Sequence, residues 1–308
     1  MNDNKVMNMA ADNIRILAAS MVEKAKSGHP GGAMGGADFI NTLYSEFLVY
    51  DPENPAWEGR DRFFLDPGHM APMLYSQLAL IGKYTLEDLK NLRQWGSVTP
   101  GHPEREIERG IENTSGPLGQ GHTFAVGAAI AAKFLKARLG NVMNQTIYAY
   151  ISDGGVQEEI SQGAGRIAGN LGLDNLIMFY DANDIQLSTK TEVVTCEDTA
   201  KKYEAWGWYV QKIDGNDVDQ IREAIKKAQA EKERPSLIAW STLNSLIALS
   251  TLDSLIALST LDSLITLSTL DSLIARSTLD SLITRCTLDS LVARSTLGFP
   301  STPTELPL

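Results

Sequence analysis

A chain of 308 residues, 43% hydrophobic and 21% charged, has ordinary globular composition and enough length for one large or two modest domains. Its formal net charge of −11 opposes a nucleic-acid backbone or an anionic membrane, so neither is expected as a partner. No apolar run approaches the ~18 residues of a membrane-spanning helix, the opening "MNDNKVMNMAADN" is too polar for a signal peptide, and Cys196 and Cys286 lack metal-type spacing; the chain reads as soluble, reduced and cytoplasmic.

Taken in chain order, "NIRILAASMVEKA" and "GADFINTLYSEFL" carry apolar residues at helical spacing, as does "HTFAVGAAIAAKFL". "TIYAYIS", "NLIMFYD" and "WYVQKID" then read as buried strands separated by helical segments, and "DVDQIREAIKKAQAEKE" as a further helix. Such alternation predicts an α/β fold, a parallel sheet with helices on its faces. Ligands of these sheets bind beyond the carboxyl ends of the strands, which here read "SDGG", "DANDIQ" and "DGND".

From Ser241 the pattern changes to a nearly identical nine-residue unit, "STLDSLIAL" and its variants, repeated to Arg294. A nine-residue period places equivalent positions on opposite sides of a helix and on alternate faces of a strand, so neither form yields one continuous apolar stripe. The unit also lacks the glycines of known nonapeptide coils. The expected organisation is therefore a domain over 1–240, a low-complexity repeat tail over 241–294 that is not a functional domain, and a Pro-rich tail over 295–308.

All four histidines follow glycine: His29 in "SGHPG", His69 in "PGHMAP", His102 in "PGHPE" and His122 in "QGHTF". Glycine permits close backbone approach and unusual φ, so these imidazoles are expected on tight loops beside a ligand rather than in helices. No pair has zinc-type spacing. Read as residues alone, Asp153 in "SDGG" and Asn183 in "DANDI" fit ordinary turn chemistry as well as a ligand site.

The ordered run "NIRILAASMVEKAKSGHPGGAMGGADF", "RDRFFLDPGHMAPMLYSQLAL", "TPGHPE", "GPLGQG", "SDGGVQEE" and "NLIMFYDANDIQL" resembles the transketolases, thiamine-diphosphate enzymes that move a two-carbon ketol unit from a ketose phosphate to an aldose phosphate. The resemblance spans about residues 8–238, the family's first, diphosphate-holding domain. It implies thiamine diphosphate and Mg²⁺, or another divalent cation, as cofactors, and sugar phosphates as substrates. Asp153, Asn183 and the carbonyl of Ile185 match the family's metal ligands, a hard-oxygen set suited to Mg²⁺. Gly154 and the helix opening near Val156 match the phosphate cradle, Gly116 a backbone contact to the cofactor, and His69 a histidine at the diphosphate. His29 and His102 match histidines lining the substrate cleft, and Glu158 an interfacial glutamate shared between paired active sites. Ser152 stands where the family has glycine; His122 matches no motif position, and Asp181 is either a support for the ligands or a plain strand-end acid.

Past Leu237 and Ile238, where the family strand continues to another active-site histidine, the sequence enters the repeat. The resemblance implies that the acid activating the cofactor, and the basic residues that grip the sugar phosphate, lie in a second domain. Two expectations follow: a cofactor-binding part active with a second-half transketolase polypeptide or a homodimer partner, and inactive alone; or a truncated or rearranged relative without catalysis.

Overall fold

The computed structural model describes residues 1–241 apart from 184, 187 and 188, so the repeat and the Pro-rich tail lie outside the described residues. Helix α1 (Asn4–Ala25) is capped by the Asp3 side chain, which accepts from the Lys5 amide, and ends where Lys26 turns left-handed. It begins nine residues before the helix read from sequence, because Met7, Ala10 and Ala11 extend the buried face of Ile14, Leu17, Ala18 and Met21. Short helices α2 (Pro30–Gly35) and α3 (Ala37–Thr42) follow, with Pro30 preset for a first helical turn.

Strand β1 (Arg62–Leu65) leads into α4 (Ala71–Leu80) and α5 (Leu86–Lys90). The long α6 (Gln120–Leu139) precedes β2 (Ile147–Ser152), α7 (Asp153–Gln157) and α8 (Glu159–Asn170). After β3 (Leu176–Ala182) come a two-residue hairpin of β4 (Ile185–Gln186) and β5 (Thr189–Lys190), α9 (Thr191–Val194) and α10 (Thr199–Ala205). Strand β6 (Tyr209–Asp214), helix α11 (Val218–Ala230) and β7 (Ser236–Ser241) complete the described chain.

The five long strands form one parallel sheet in the order β1-β2-β3-β7-β6. Side-chain alternation divides its core in two. Tyr148, Tyr150, Ile177, Phe179, Ile238 and Trp240 face a layer containing α1, α3, α4 and α11. Ile147, Ala149, Ile151, Met178, Leu237 and Ala239 face α6, α8 and α10. Buried on both sides, β2 and β3 are continuous apolar runs over 147–151 and 176–180, as central parallel strands tend to be, and turn polar at Ser152 and Asp181.

Strand β6 departs from the expectation of burial. Among the described residues it lies at the sheet edge with β7 as its one partner, and its side chains are half-exposed or exposed. β7 runs through Leu237 and Ile238, both fully buried, to Ser241, where the repeat begins. Among the described residues no helix is long and apolar enough to cross a membrane.

Candidate functional site

Three adjacent strands, β1, β2 and β3, point their carboxyl ends the same way and run into "DPGHM", "DGG" and "NDI". Asp66, the first residue beyond β1, organises this edge. It is completely buried, and its carboxylate accepts from the backbone amides of Gly119 (3.0 Å) and His122 (3.3 Å), closing the open end of α6 in place of a local cap. Burial pushes its pKa up to about 6 against the opposing pull of those amides.

His69 sits on the turn after Asp66, and His29 at the N-terminal end of α2. Their rings meet edge to face with centroids 4.9 Å apart. His102 closes the cluster from the loop before α6: a Cβ built on Gly68, the neighbour of His69, would lie 3.0 Å from the His102 ring and 2.8 Å from the Ser115 side chain. Gly116, at φ +145°, stands 3.8 Å from the same imidazole by that measure, a backbone conformation that favours glycine. The structure therefore brings His29, His69, His102 and Gly116 into one cleft. Burial, then His29, His102 and Arg93, lower the His69 pKa to about 4; burial and then Arg93 and His29 lower that of His102.

The "GPLGQG" loop joins this cleft to the end of β2. Gly154 abuts Leu118, with 3.0 Å to a built Cβ, and Gly119 packs against Glu158. Asp153 is buried; one carboxylate oxygen accepts from the Tyr180 hydroxyl and the other from Thr191 Oγ1 at 3.3 Å. Asp181, paired in register with Ser152, accepts from Asn183 Nδ2 (3.0 Å) and Trp240 Nε1 (3.3 Å). Burial pushes Asp181 up to about 6, with Asn183 foremost among the groups that hold it down. Ile185 opens β4, opposite Lys190, next along the chain from this acid pair. Ser152 is buried at the start of α7 and keeps the β2–β3 register with Asp181.

Two expectations are corrected, the start of the helix after β2 and the place of His122. The helix after β2 opens at Asp153 and not near Val156, because Ser152 already leaves the strand at the α7 boundary. Glu158, between α7 and α8, is the exposed N-cap residue of α8. His122 is not on a ligand loop. It lies in α6, fully buried, with Nδ1 2.7 Å from Ser161 Oγ and its ring near Tyr203 and Trp208; burial lowers its pKa to about 3.

Arg93, Tyr180 and Thr191 were not read as site residues. Arg93 has a left-handed φ of 61°, donates to Ser27 Oγ (2.9 Å) and packs on Gly101, so it joins the loops that carry His29 and His102. Its non-glycine identity in a helix-ending "NLRQWG" gave no signal of that conformation.

A parallel α/β domain whose strand ends offer carboxylates, glycines and a histidine cleft belongs to the class that binds phosphorylated cofactors at the carboxyl edge of the sheet. The chain is a member of the transketolase family: the model of its thiamine diphosphate binding domain matches residues 6–251, past the limit near 238 read from sequence. It is 46% identical over 239 residues to Transketolase 1 of Pasteurella multocida, covering 76% of this chain and 36% of that protein. To the transketolase of Geobacillus stearothermophilus it is 42% identical over 245 residues, covering 78% and 37%. Among solved structures, transketolase from Leishmania mexicana matches with a TM-score of 0.81 at 33% identity, over 98% of this chain and 48% of that one. Transketolase from Campylobacter jejuni matches with a TM-score of 0.73 at 40% identity, over 78% and 38%. The chain thus spans a little over a third of the length of these curated relatives.

Proposed function

We propose that this chain is the cofactor-holding part of a ketol transferase, gripping thiamine diphosphate through Mg²⁺ or a similar divalent cation and using sugar phosphates as substrates. The observation that carries this reading is the convergence of His69, Asp153 and Asn183 at the ends of three neighbouring parallel strands. Asp153, Asn183 and the Ile185 carbonyl are a hard-oxygen set of the kind Mg²⁺ prefers, and the buried carboxylate of Asp153 is already oriented by two hydroxyl groups. The bound cofactor would supply the electron sink for cleaving the bond between the ketol unit and the rest of the sugar.

The chain's own residues have separate tasks. Gly154 and Gly116 leave room for backbone approach, and His69, held neutral by burial, can donate to a phosphate or accept from a hydroxyl. His29 and His102 line the same cleft and are placed to orient substrate hydroxyls and exchange protons with them. Glu158 has the exposed position that an acid shared with a partner needs. Beside it, Ile160, Ile167 and Leu171 fall on one face of α8 and are 49%, 52% and 50% exposed, an apolar strip suited to a homodimer partner or a second-half polypeptide. The proposal includes a working unit that ends near residue 240: deletion of everything after about Trp240 is expected to leave the thermal midpoint nearly unchanged, and a large drop on melting the shortened chain would refute it.

Calorimetric titration tests the cofactor site. Wild-type chain takes up thiamine diphosphate in the presence of Mg²⁺, and Asp153→Ala weakens that uptake by more than about tenfold, or ~1.4 kcal/mol. Equal affinity in the variant removes Asp153 from the metal set.

A further inference from the structure

Near its carboxyl end, β3 places two polar side chains on opposite faces of the sheet. Tyr180 joins the core beneath α6, α8 and α10, and Asp181 turns to the other side, where it accepts from Trp240 Nε1 at 3.3 Å. Both are buried, Tyr180 7% and Asp181 1% exposed. Each holds a different one of the two side chains that the cofactor reading gives to the cation.

The Tyr180 hydroxyl donates to Asp153 Oδ1, and Thr191 Oγ1 donates to Asp153 Oδ2 at 3.3 Å. A carboxylate oxygen carries two lone pairs, so one hydroxyl at each oxygen fixes the plane of the group and leaves acceptor capacity for a cation. On the other face, Asn183 donates through Nδ2 to Asp181 Oδ2 at 3.0 Å. Flipping this amide would set its oxygen against the carboxylate, so Asp181 holds Nδ2 and turns Oδ1 to the opposite side. Oδ1 is the atom that a hard cation takes. Packing alone would be served by phenylalanine and leucine at these positions; the hydroxyl and the carboxylate are what reach Asp153 and Asn183.

We infer that Tyr180 and Asp181 are positioning residues for the cation that grips the cofactor diphosphate: Tyr180 sets the carboxylate of Asp153, and Asp181 selects the oxygen of the Asn183 amide. The inference rests on the cofactor reading and deepens it, because it assigns to the end of β3 the geometry on which both ligands depend. Each residue acts through the ligand it holds, and losing such a partner typically weakens metal binding by about 10–100-fold.

The test titrates the full chain with Mn²⁺ at saturating thiamine diphosphate, counting free metal by electron paramagnetic resonance, with a thermal melt of each variant. Asp153→Ala, which removes a ligand, is the reference for the cofactor reading. Tyr180→Phe is expected to weaken Mn²⁺ binding by about tenfold or more, and to cost nothing further when combined with Asp153→Ala. Asp181→Leu is expected to weaken it to a similar degree, while Asp181→Asn, which keeps an acceptor oxygen for Asn183 Nδ2, retains most of the affinity. Tyr180→Phe keeps the ring and its packing, so it decides the outcome even where Asp181→Leu does not fold. Weakening by Asp153→Ala with none by Tyr180→Phe, in a chain that still melts cooperatively, would overturn the positioning role and leave the cofactor reading standing. Unchanged binding in Asp153→Ala would remove the cofactor reading itself, and this inference with it.

Discussion

The imidazoles of His29 and His69 meet edge to face, 4.9 Å between centroids, although one belongs to the start of α2 and the other to the turn beyond β1. That contact ties the helical layer to the sheet edge, and it has an electrostatic result. Burial foremost, and then the charges that His29, His102 and Arg93 would present, hold His69 down to about 4. At neutral pH its ring is therefore uncharged and can accept as well as donate. A pH titration of the His69 ring protons by NMR should give a midpoint near 4, and Arg93→Gln should raise it by only a fraction of the total displacement. A midpoint near the ordinary histidine value would show that solvent reaches the ring.

His122 makes the protein acid-sensitive by the same physics. Its pKa is about 3 in the folded chain and ~6.5 unfolded, so as pH falls below about 6.5 the unfolded state binds the proton first. The neutral ring's contribution is fully present above that pH and lost progressively towards 3. Between pH 7 and 5 the loss is on the order of 2 kcal/mol. Asp61 and Asp66, pushed up by burial to about 7 and about 6, act in the opposite sense across the same range. The comparison is thus made against His122→Leu, which leaves both carboxylates in place. Denaturant unfolding at the two pH values should show wild type losing about 2 kcal/mol more than the variant; equal losses would mean His122 is protonated in the folded state.

Most of the sheet was legible because β2 and β3, buried on both faces, are continuous apolar runs. The four residues of β1 are too few to show a period, and β6 alternates weakly because it has a neighbour on one side alone. The glycines before His29, His69 and His102 pointed to turns and loops, where the structure gathers the three rings, but the same sign misled at His122. A Cβ on Gly121 would lie 2.5 Å from the Asp66 Cα, so that glycine serves the packing of α6 on the end of β1 and not the approach of a ligand. The role of Asp66 was hidden for a related reason: the amides it caps are more than fifty residues away in sequence, and capping signals are local.

Asp66 accordingly gives a stability prediction. Asp66→Ala leaves the amides of Gly119 and His122 without their acceptor at the buried start of α6. A lost helix cap costs ~0.5–2 kcal/mol, and stranding buried donors adds to it, so a total of about 2 kcal/mol or more is expected. Asp66→Asn, which keeps one acceptor oxygen, should cost less. Urea unfolding with an unchanged slope measures both. A loss for the alanine variant under about 0.5 kcal/mol would mean that water replaces the carboxylate.

The last prediction concerns turnover by the 308-residue polypeptide by itself. The family resemblance assigns the acid that activates the cofactor to a second domain, and a general acid works only within hydrogen-bond reach of its target. Among the acids placed here, Asp66 and Asp181 are committed to structural hydrogen bonds, and Asp153 is engaged by Tyr180 and Thr191. Glu158 is exposed at the α7–α8 break and packs against Gly119. The three buried acids are thus already engaged, and the resemblance gives Glu158 to an interface between paired sites rather than to the ring nitrogen. The chain by itself should therefore exchange the C2 proton of thiamine diphosphate no faster than free cofactor does, and should move no ketol unit from xylulose 5-phosphate to ribose 5-phosphate. Adding a second-half transketolase polypeptide should raise both, and Glu158→Gln should diminish the gain. Hydrogen–deuterium exchange at C2, followed by NMR with and without the companion, reads the first step directly. Fast exchange by the single chain would place an activating acid within it, and the division of labour between the two halves would have to be redrawn.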